Sequence, residues 1–222
     1  MAKIQIVENI LNANDQIALE NQRVFRQHYI YSVNIMASPG AGKTSFILRT
    51  IQLLSKTIRI AVIEGDTAPV TIDADKVQSS GIPVVQINTG GECHLDANMV
   101  KSALSQLPLD QLDLVIVENV GNLICPAAFK LGTALNLVIA SLPEGDDKPY
   151  KYPNMYRHLD VLALNKIDLK PYIDFNLSYF HQGVEALNPG VAFFEVSCKT
   201  GEGIQSWNNW LRARINTYKN ER

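Results

Sequence analysis

From Tyr29 onward the chain alternates between two textures. Short, nearly continuous apolar runs predict strands over Ser32–Ala37, Arg59–Glu64, Pro83–Asn88, Leu112–Glu118, Leu135–Leu142, Val161–Asn165 and Ala192–Ser197. Between them, apolar residues at helical spacing predict helices over Lys43–Ser55, Asp96–Leu107, 172–187 and Ile204–Tyr218. The run LVIV at 114–117 has no polar alternation, as suits a strand covered on both faces. Strands and helices in turn imply βαβ units, and therefore an α/β fold: a mostly parallel sheet of about seven strands with helices on both faces. Ahead of this pattern, apolar positions at Ile6, Ile10, Ile17 and Phe25 predict one or two amphipathic helices, broken near Asn12–Asn14. They form an N-terminal helical extension over 1–28. No internal repeat, low-complexity tract or Gly/Ser linker interrupts the chain, so 1–222 reads as one domain.

Composition narrows the function classes. An apolar fraction of 46% excludes a disordered chain. Lys and Arg number 20 against 22 Asp and Glu, so no cationic field gathers nucleic acid or anionic lipid. The N-terminus is interrupted by Glu8, Asn9, Asn12 and Asp15, unlike a signal peptide, and no run of about 18 apolar residues predicts a membrane helix. Cys93, Cys125 and Cys198 are odd in number and well separated, which argues against a disulfide framework. A reducing cytoplasm is the expected location.

The first chemical motif is ASPGAGKTS at 37–45, between a predicted strand and a predicted helix. Backbone N–H groups at a helix N-terminus can cradle a phosphate, and the helix dipole favours its charge. Gly40, Ala41 and Gly42 supply the turn, Lys43 would neutralise the β- and γ-phosphates, and the Thr44 hydroxyl, followed by Ser45, would bind Mg²⁺. Ala37 replaces the leading Gly of the strict pattern at the point farthest from the phosphates. The fold class is thus a P-loop NTPase.

Two later segments choose the base. Asn165-Lys166-Ile167-Asp168 follows the strand VLALN, at the end of the sheet where ligands of open α/β folds bind. A carboxylate at Asp168 accepts from guanine N1–H and N2–H, whereas adenine presents an acceptor there. Lys166 would lay its stem over the base. Ser197-Cys198-Lys199 is similar to the SAK loop of GTPases, with the Cys198 N–H expected to reach guanine O6. Together with the phosphate loop, these segments point to GTP.

Glu64-Gly65-Asp66 and Glu118-Asn119-Val120-Gly121-Asn122 each end a predicted strand, with Asp66 and Glu118 as candidate Mg²⁺ carboxylates. Many GTPases read DxxGQ in the second segment. Asn122, one methylene shorter than Gln, would position the attacking water poorly and make hydrolysis slow; a plain turn residue after Gly121 is the competing reading. Thr71 and Asp73 read equally well as a first switch or as a helix N-cap. Cys93, His94 and Cys125 have donor types that suit Ni²⁺ or Zn²⁺. Three ligands per chain leave a fourth to water or to a second copy. Cys125 lies four residues beyond Gly121, which would let metal affinity depend on the nucleotide.

The segments SPGAGKT (38–44), EGD (64–66), INTGGECHLDANMV (87–100), ENVGNLICP (118–126), EGDDKPYKYPNMY (144–156), NKIDL (165–169) and TGEG (200–203) resemble the hydrogenase nickel-incorporation GTPase family HypB. The match runs from about residue 30 to the C-terminal helix, and TGxxCHLDA with ENVGNLxCP is specific to that family. The resemblance implies a GTP-promoted homodimer that delivers nickel to [NiFe]-hydrogenase, with a HypA-like nickel chaperone and the hydrogenase large subunit precursor as partners. It also implies that Cys93, His94 and Cys125 form a metal site at the dimer interface. Lys148 would reach the partner's nucleotide, against the simpler account of a solvated lysine. No cysteine precedes Cys93 and only His28 precedes the phosphate loop, so the N-terminal CxxCGC and histidine-rich nickel motifs of some members are absent. The urease-maturation family UreG is the nearest alternative, but it would present Cys-Pro-His as one motif.

Overall fold

The computed structural model describes residues 10–67 and 72–220. Seven strands, β1 (Tyr31–Ala37), β2 (Ile60–Asp66), β3 (Val84–Asn88), β4 (Leu114–Glu118), β5 (Leu135–Ser141), β6 (Val161–Asn165) and β7 (Ala192–Glu195), form one sheet in the order β3-β2-β4-β1-β5-β6-β7. Every neighbouring pair is parallel. The chain moves outward from β1 on one side through β2 and β3, returns to β4, and then continues on the other side through β5. The crevice at the carboxyl end of β1 is therefore a topological switch point, where such sheets hold ligands.

Alternate side chains of the buried strands feed two apolar layers. One layer packs Val33, Ile35, Ile116 and Leu137 against α2 (Lys43–Leu54) and α8 (Ile204–Asn220). Trp207 is fully buried there against Phe46 at 5.3 Å and donates its indole N–H to Thr50 Oγ1 at 3.0 Å. The opposite layer is split. Ala61, Ile63, Val115 and Val117 meet α1 (Ile10–Gln27) and α4 (Ala97–Leu104), while Val138, Leu162 and Leu164 meet α6 (Pro153–Arg157) and α7 (Leu177–Leu187). Two short helices, α3 (Ile72–Gln78) and α5 (Lys148–Lys151), complete the set. No helix among the described residues is long and apolar enough to cross a membrane.

Two expectations change. The N-terminal helix is not broken at Asn12–Asn14: α1 runs through them, and Asn14 is spent on tertiary hydrogen bonds to Ala97 and Lys130. Ile6 lies outside the described residues. The helix expected from 172 begins at Leu177, because the Asn176 side chain accepts from Tyr179 N–H at 3.0 Å and caps it there.

The seat of α1 is tight. Gly132 has φ +86°, and a Cβ on it would lie 2.2 Å from the Ala18 carbonyl oxygen. Gly190 has φ +74° with nothing within 4 Å of such a Cβ. Alanine at Gly190 should cost about 1–3 kcal/mol, the conformational strain alone. Gly132→Ala should cost clearly more, because α1 must also shift. Urea unfolding of both variants measures the difference, and equal losses would mean that α1 is not seated on Gly132.

Candidate functional site

The phosphate loop joins β1 to α2. Gly40 and Gly42 adopt φ of +76° and +102°, conformations that turn the chain into the helix N-terminus, where Gly42 is the cap residue. Gly42 also meets a steric limit, since a Cβ would lie 2.5 Å from Asn165 Nδ2. That same Nδ2 donates to the Ala41 carbonyl at 2.9 Å, and Lys166 Nζ donates to the Gly40 carbonyl at 2.7 Å. The two segments expected to read the base are thus fastened to the loop expected to hold the phosphates. A cleft of about 400 Å³, lined by Gly42, Ser45, Asn165, Lys166, Asp168 and Cys198 among others, opens between them. Ser197 Oγ donates to Asp168 Oδ1 at 2.6 Å and fixes the carboxylate, and Lys199 lies on the rim. The Cys198 N–H, expected to face guanine, donates to Asn165 Oδ1 at 3.2 Å. Burial pushes the Cys198 thiol up to about 11, so it stays protonated and unreactive at neutral pH.

On the other side of the loop, a second cavity of about 340 Å³ is lined by Gly40, Lys43, Glu64, Asp66, Asp73, Cys93, Glu118 and Gly121 among others. Thr44 Oγ1 donates to Glu118 Oε1 at 2.8 Å, which brings the expected Mg²⁺ hydroxyl and carboxylate together. Glu64 and Glu118 are register partners on β2 and β4, both buried, and each keeps one carboxylate oxygen without a partner. Burial pushes Glu64 up to about 8, with Glu118, Asp66 and Asp73 adding to the effect and Lys43 opposing it. Burial also raises Glu118 to about 7 against Lys43 and the Thr44 hydroxyl. Two costly carboxylates facing one lysine form a site short of positive charge, which a divalent cation would supply. Thr71 lies outside the described residues. Asp73 sits in the first turn of α3 and pairs with Lys76 at 2.7 Å.

The metal candidates converge. Cys93, His94 and Cys125 place one donor atom each within 4.8 Å of one another, the one such His/Cys/Asp/Glu group among the described residues. Cys93 Sγ donates to Cys125 Sγ at 2.9 Å. Sharing a proton with Cys93, together with burial and the neighbouring sulfur, holds the Cys125 thiol above its ordinary value. His94 stacks on Phe129 at 3.8 Å, and its Nδ1 is buried without a partner. Two thiols and an orphaned imidazole nitrogen fit a borderline-soft ion such as Zn²⁺ or Ni²⁺.

The strand end between the two regions is pinned by asparagines. Asn119 Oδ1 accepts from Leu95 N–H at 3.0 Å and Val120 N–H at 2.9 Å. Its Nδ2 donates to Asn34 Oδ1 at 3.2 Å, and Asn34 donates in turn to Asn136 at 3.2 Å. Asn122 donates to the Cys93 carbonyl at 3.3 Å and accepts from Ile124 N–H at 2.8 Å. Sequence reasoning gave Asn119 and Phe129 no role; the position of Asn119 inside ENVGN was the available signal for it. Lys148 is held by Asp147 at 2.8 Å, one residue away.

The model of the CobW/HypB/UreG nucleotide-binding domain matches residues 32–195. The hydrogenase maturation factor HypB of Azotobacter vinelandii is 43% identical, over 98% of this chain and 74% of its own. A hydrogenase/urease maturation factor HypB of Helicobacter pylori is 36% identical over 94% and 86%. The crystal structure of Helicobacter pylori HypB in complex with nickel superposes with a TM-score of 0.88 at 34% identity, covering 92% of this chain and 96% of that one.

The raised carboxylates set a pH dependence. In the folded state Glu64 and Glu118 keep protons that the unfolded chain, with its ordinary value of 4.5, has released. The stability this provides is full below that value and is lost as pH rises through about 7 to 8. The nucleotide-free protein should therefore unfold at lower urea at pH 8 than at pH 5, and Glu64→Gln should flatten the slope. An unchanged slope in that variant would remove Glu64 as its source.

Proposed function

Because the chain belongs to the CobW/HypB/UreG family and aligns along nearly its whole length with HypB hydrogenase maturation factors, we propose that it is a GTP-hydrolysing metallochaperone for [NiFe]-hydrogenase. It binds nickel, or zinc, at Cys93, His94 and Cys125, and GTP binding and hydrolysis govern release of the metal to the enzyme. One observation carries the reading: Cys93 lines the same cavity as Lys43, Asp66 and Glu118, so a metal thiolate and the γ-phosphate groups share one space.

Asp168 selects guanine, Lys43 stabilises the charge that develops on the transferred phosphoryl group, and Thr44, Asp66 and Glu118 hold Mg²⁺. Gly121 is the sensor. A Cβ there would lie 3.1 Å from Pro39 and 3.2 Å from Lys43 Nζ, so the segment rests directly on the phosphate loop. Asn119 and Asn122 flank it and bond to the backbone on both sides of His94, at Leu95 and Cys93. A shift of the segment on GTP binding pulls on the ligand loop through those two bonds. Asn122 also orients the attacking water, and its hydrogen bonds to Cys93 and Ile124 make it a poor positioner and hydrolysis slow. If Asn122→Gln leaves the single-turnover rate unchanged, it has no such role.

Three donors leave the ion's shell incomplete, and Ile124, beside Cys125, exposes 66% of its surface. A second copy of the chain docked on this face, favoured by GTP, supplies the missing donors and covers Ile124. A HypA-like nickel chaperone loads the site, the hydrogenase large subunit precursor receives the metal, and the setting is the cytoplasm. The shared hydrogenase/urease designation of the Helicobacter pylori relative favours a second reading, in which another nickel enzyme such as urease is also served.

Ni²⁺ affinity measured by competition titration should differ by at least about fivefold between the GDP form and the form with a nonhydrolysable GTP analogue. Equal affinities would disconnect the metal from the nucleotide.

A further inference from the structure

The three donor atoms come from two separate loops: Cys93 and His94 precede α4, and Cys125 precedes the stretch 129–132. A mononuclear site exists only while those loops keep a fixed separation. The fold supplies a clamp across them. On α1, Asn14 accepts from Ala97 N–H at 2.8 Å and donates to the Lys130 carbonyl at 2.9 Å. Two turns later on the same face, Asn21 donates to the Ala97 carbonyl at 2.8 Å and to the Leu131 carbonyl at 3.0 Å. Each asparagine thus ties the start of α4, three residues after His94, to the stretch that follows the Cys125 turn, and Ala97 is gripped by its N–H and its carbonyl together.

Packing repeats the arrangement. Phe25 of α1 shares an apolar cluster with Leu95, next to His94, and with Leu131. Phe129, which stacks on His94, directly precedes Lys130. Gly132 lies so close to the Ala18 carbonyl that the loop has no clearance from the helix. Asparagine is a weak helix former, and an amide with exposure of 7% at Asn14 or 0% at Asn21 costs desolvation. Two such residues on one helix face make sense where their bonds specify a geometry.

We infer that α1 is a working part of the metal site: Asn14 and Asn21 are positioning residues that set the separation of the Cys93–His94 and Cys125 loops, and so the affinity of the cluster and the number of thiolates it contributes. The inference rests on reading that cluster as the metal site. Cobalt(II) serves as the probe, titrated into the full chain in its GDP form, because thiolate coordination gives a charge-transfer band that reports each Co–S bond. Asn14→Ala and Asn21→Ala should each weaken Co²⁺ binding by about tenfold or more, the low end of what loss of a group that orients metal ligands costs. The charge-transfer band at saturation should weaken as Cys125 leaves the ion. Affinity for a GTP analogue, whose cleft α1 does not touch, should stay within about twofold. Glu20→Gln, on the same helix and paired with Lys101 at 2.7 Å, should bind as the parent does. If Asn21→Ala loses nucleotide binding as well, Asn14→Ala decides. Parent-like affinity and spectrum in the variants that bind nucleotide would overturn the inference. A parent protein that shows no thiolate–cobalt band would remove the metal-site reading and the inference with it.

Discussion

Glu118 ends strand β4 and Asn119 follows it directly, both buried, with exposures of 3% and 0%. Polar groups buried to that degree are expensive unless they are bonded, and each is bonded in a different direction. The Glu118 carboxylate turns towards Thr44 and the phosphate loop, whereas the Asn119 amide turns towards Leu95 and the loop of Cys93 and His94. The two halves of the site therefore meet at adjacent residues where one strand ends.

The remaining architecture keeps that strand end in place. Parallel pairing sets β4 between β2 and β1, so that Glu64 lies in register with Glu118 and Asn34 stands within reach of Asn119. The amide relay continues to Asn136 on β5, crossing the sheet perpendicular to its strands. Such a relay is stiff because every member has a partner, and it would be destabilising if one were missing. From the opposite side, α1 uses Asn14 and Asn21 to hold the start of α4 and the stretch after Cys125, which flank the Cys93, His94 and Cys125 cluster. The site is thus held by the sheet on one side and by a single helix on the other.

What the chain discloses before folding follows from how local each piece of chemistry is. The phosphate loop fits in nine residues, and its physics, a glycine-bearing turn into a helix N-terminus, is written in adjacent positions. The same holds for Asp168 and for the donor types at Cys93, His94 and Cys125. The clamps were not legible. Asn14 reads as a helix break because its propensity is poor, and the bonds that occupy its side chain lie far along the chain, at Ala97 and Lys130. The stack of Phe129 on His94 and the capture of the Cys93 carbonyl by Asn122 are likewise tertiary facts. The helix expected from 172 starts late for a local reason, the Asn176 cap, which a closer reading of N-cap residues could have found.

In the proposed function, nucleotide, metal and a second copy of the chain occupy linked sites. Native mass measurement of the protein with Mg²⁺ and either GDP or a nonhydrolysable GTP analogue, each with and without Ni²⁺, reads all three together. This linkage predicts monomers with GDP, and dimers with the analogue whose metal count differs from that of the GDP form. A monomer of unchanged metal count in every condition would contradict it.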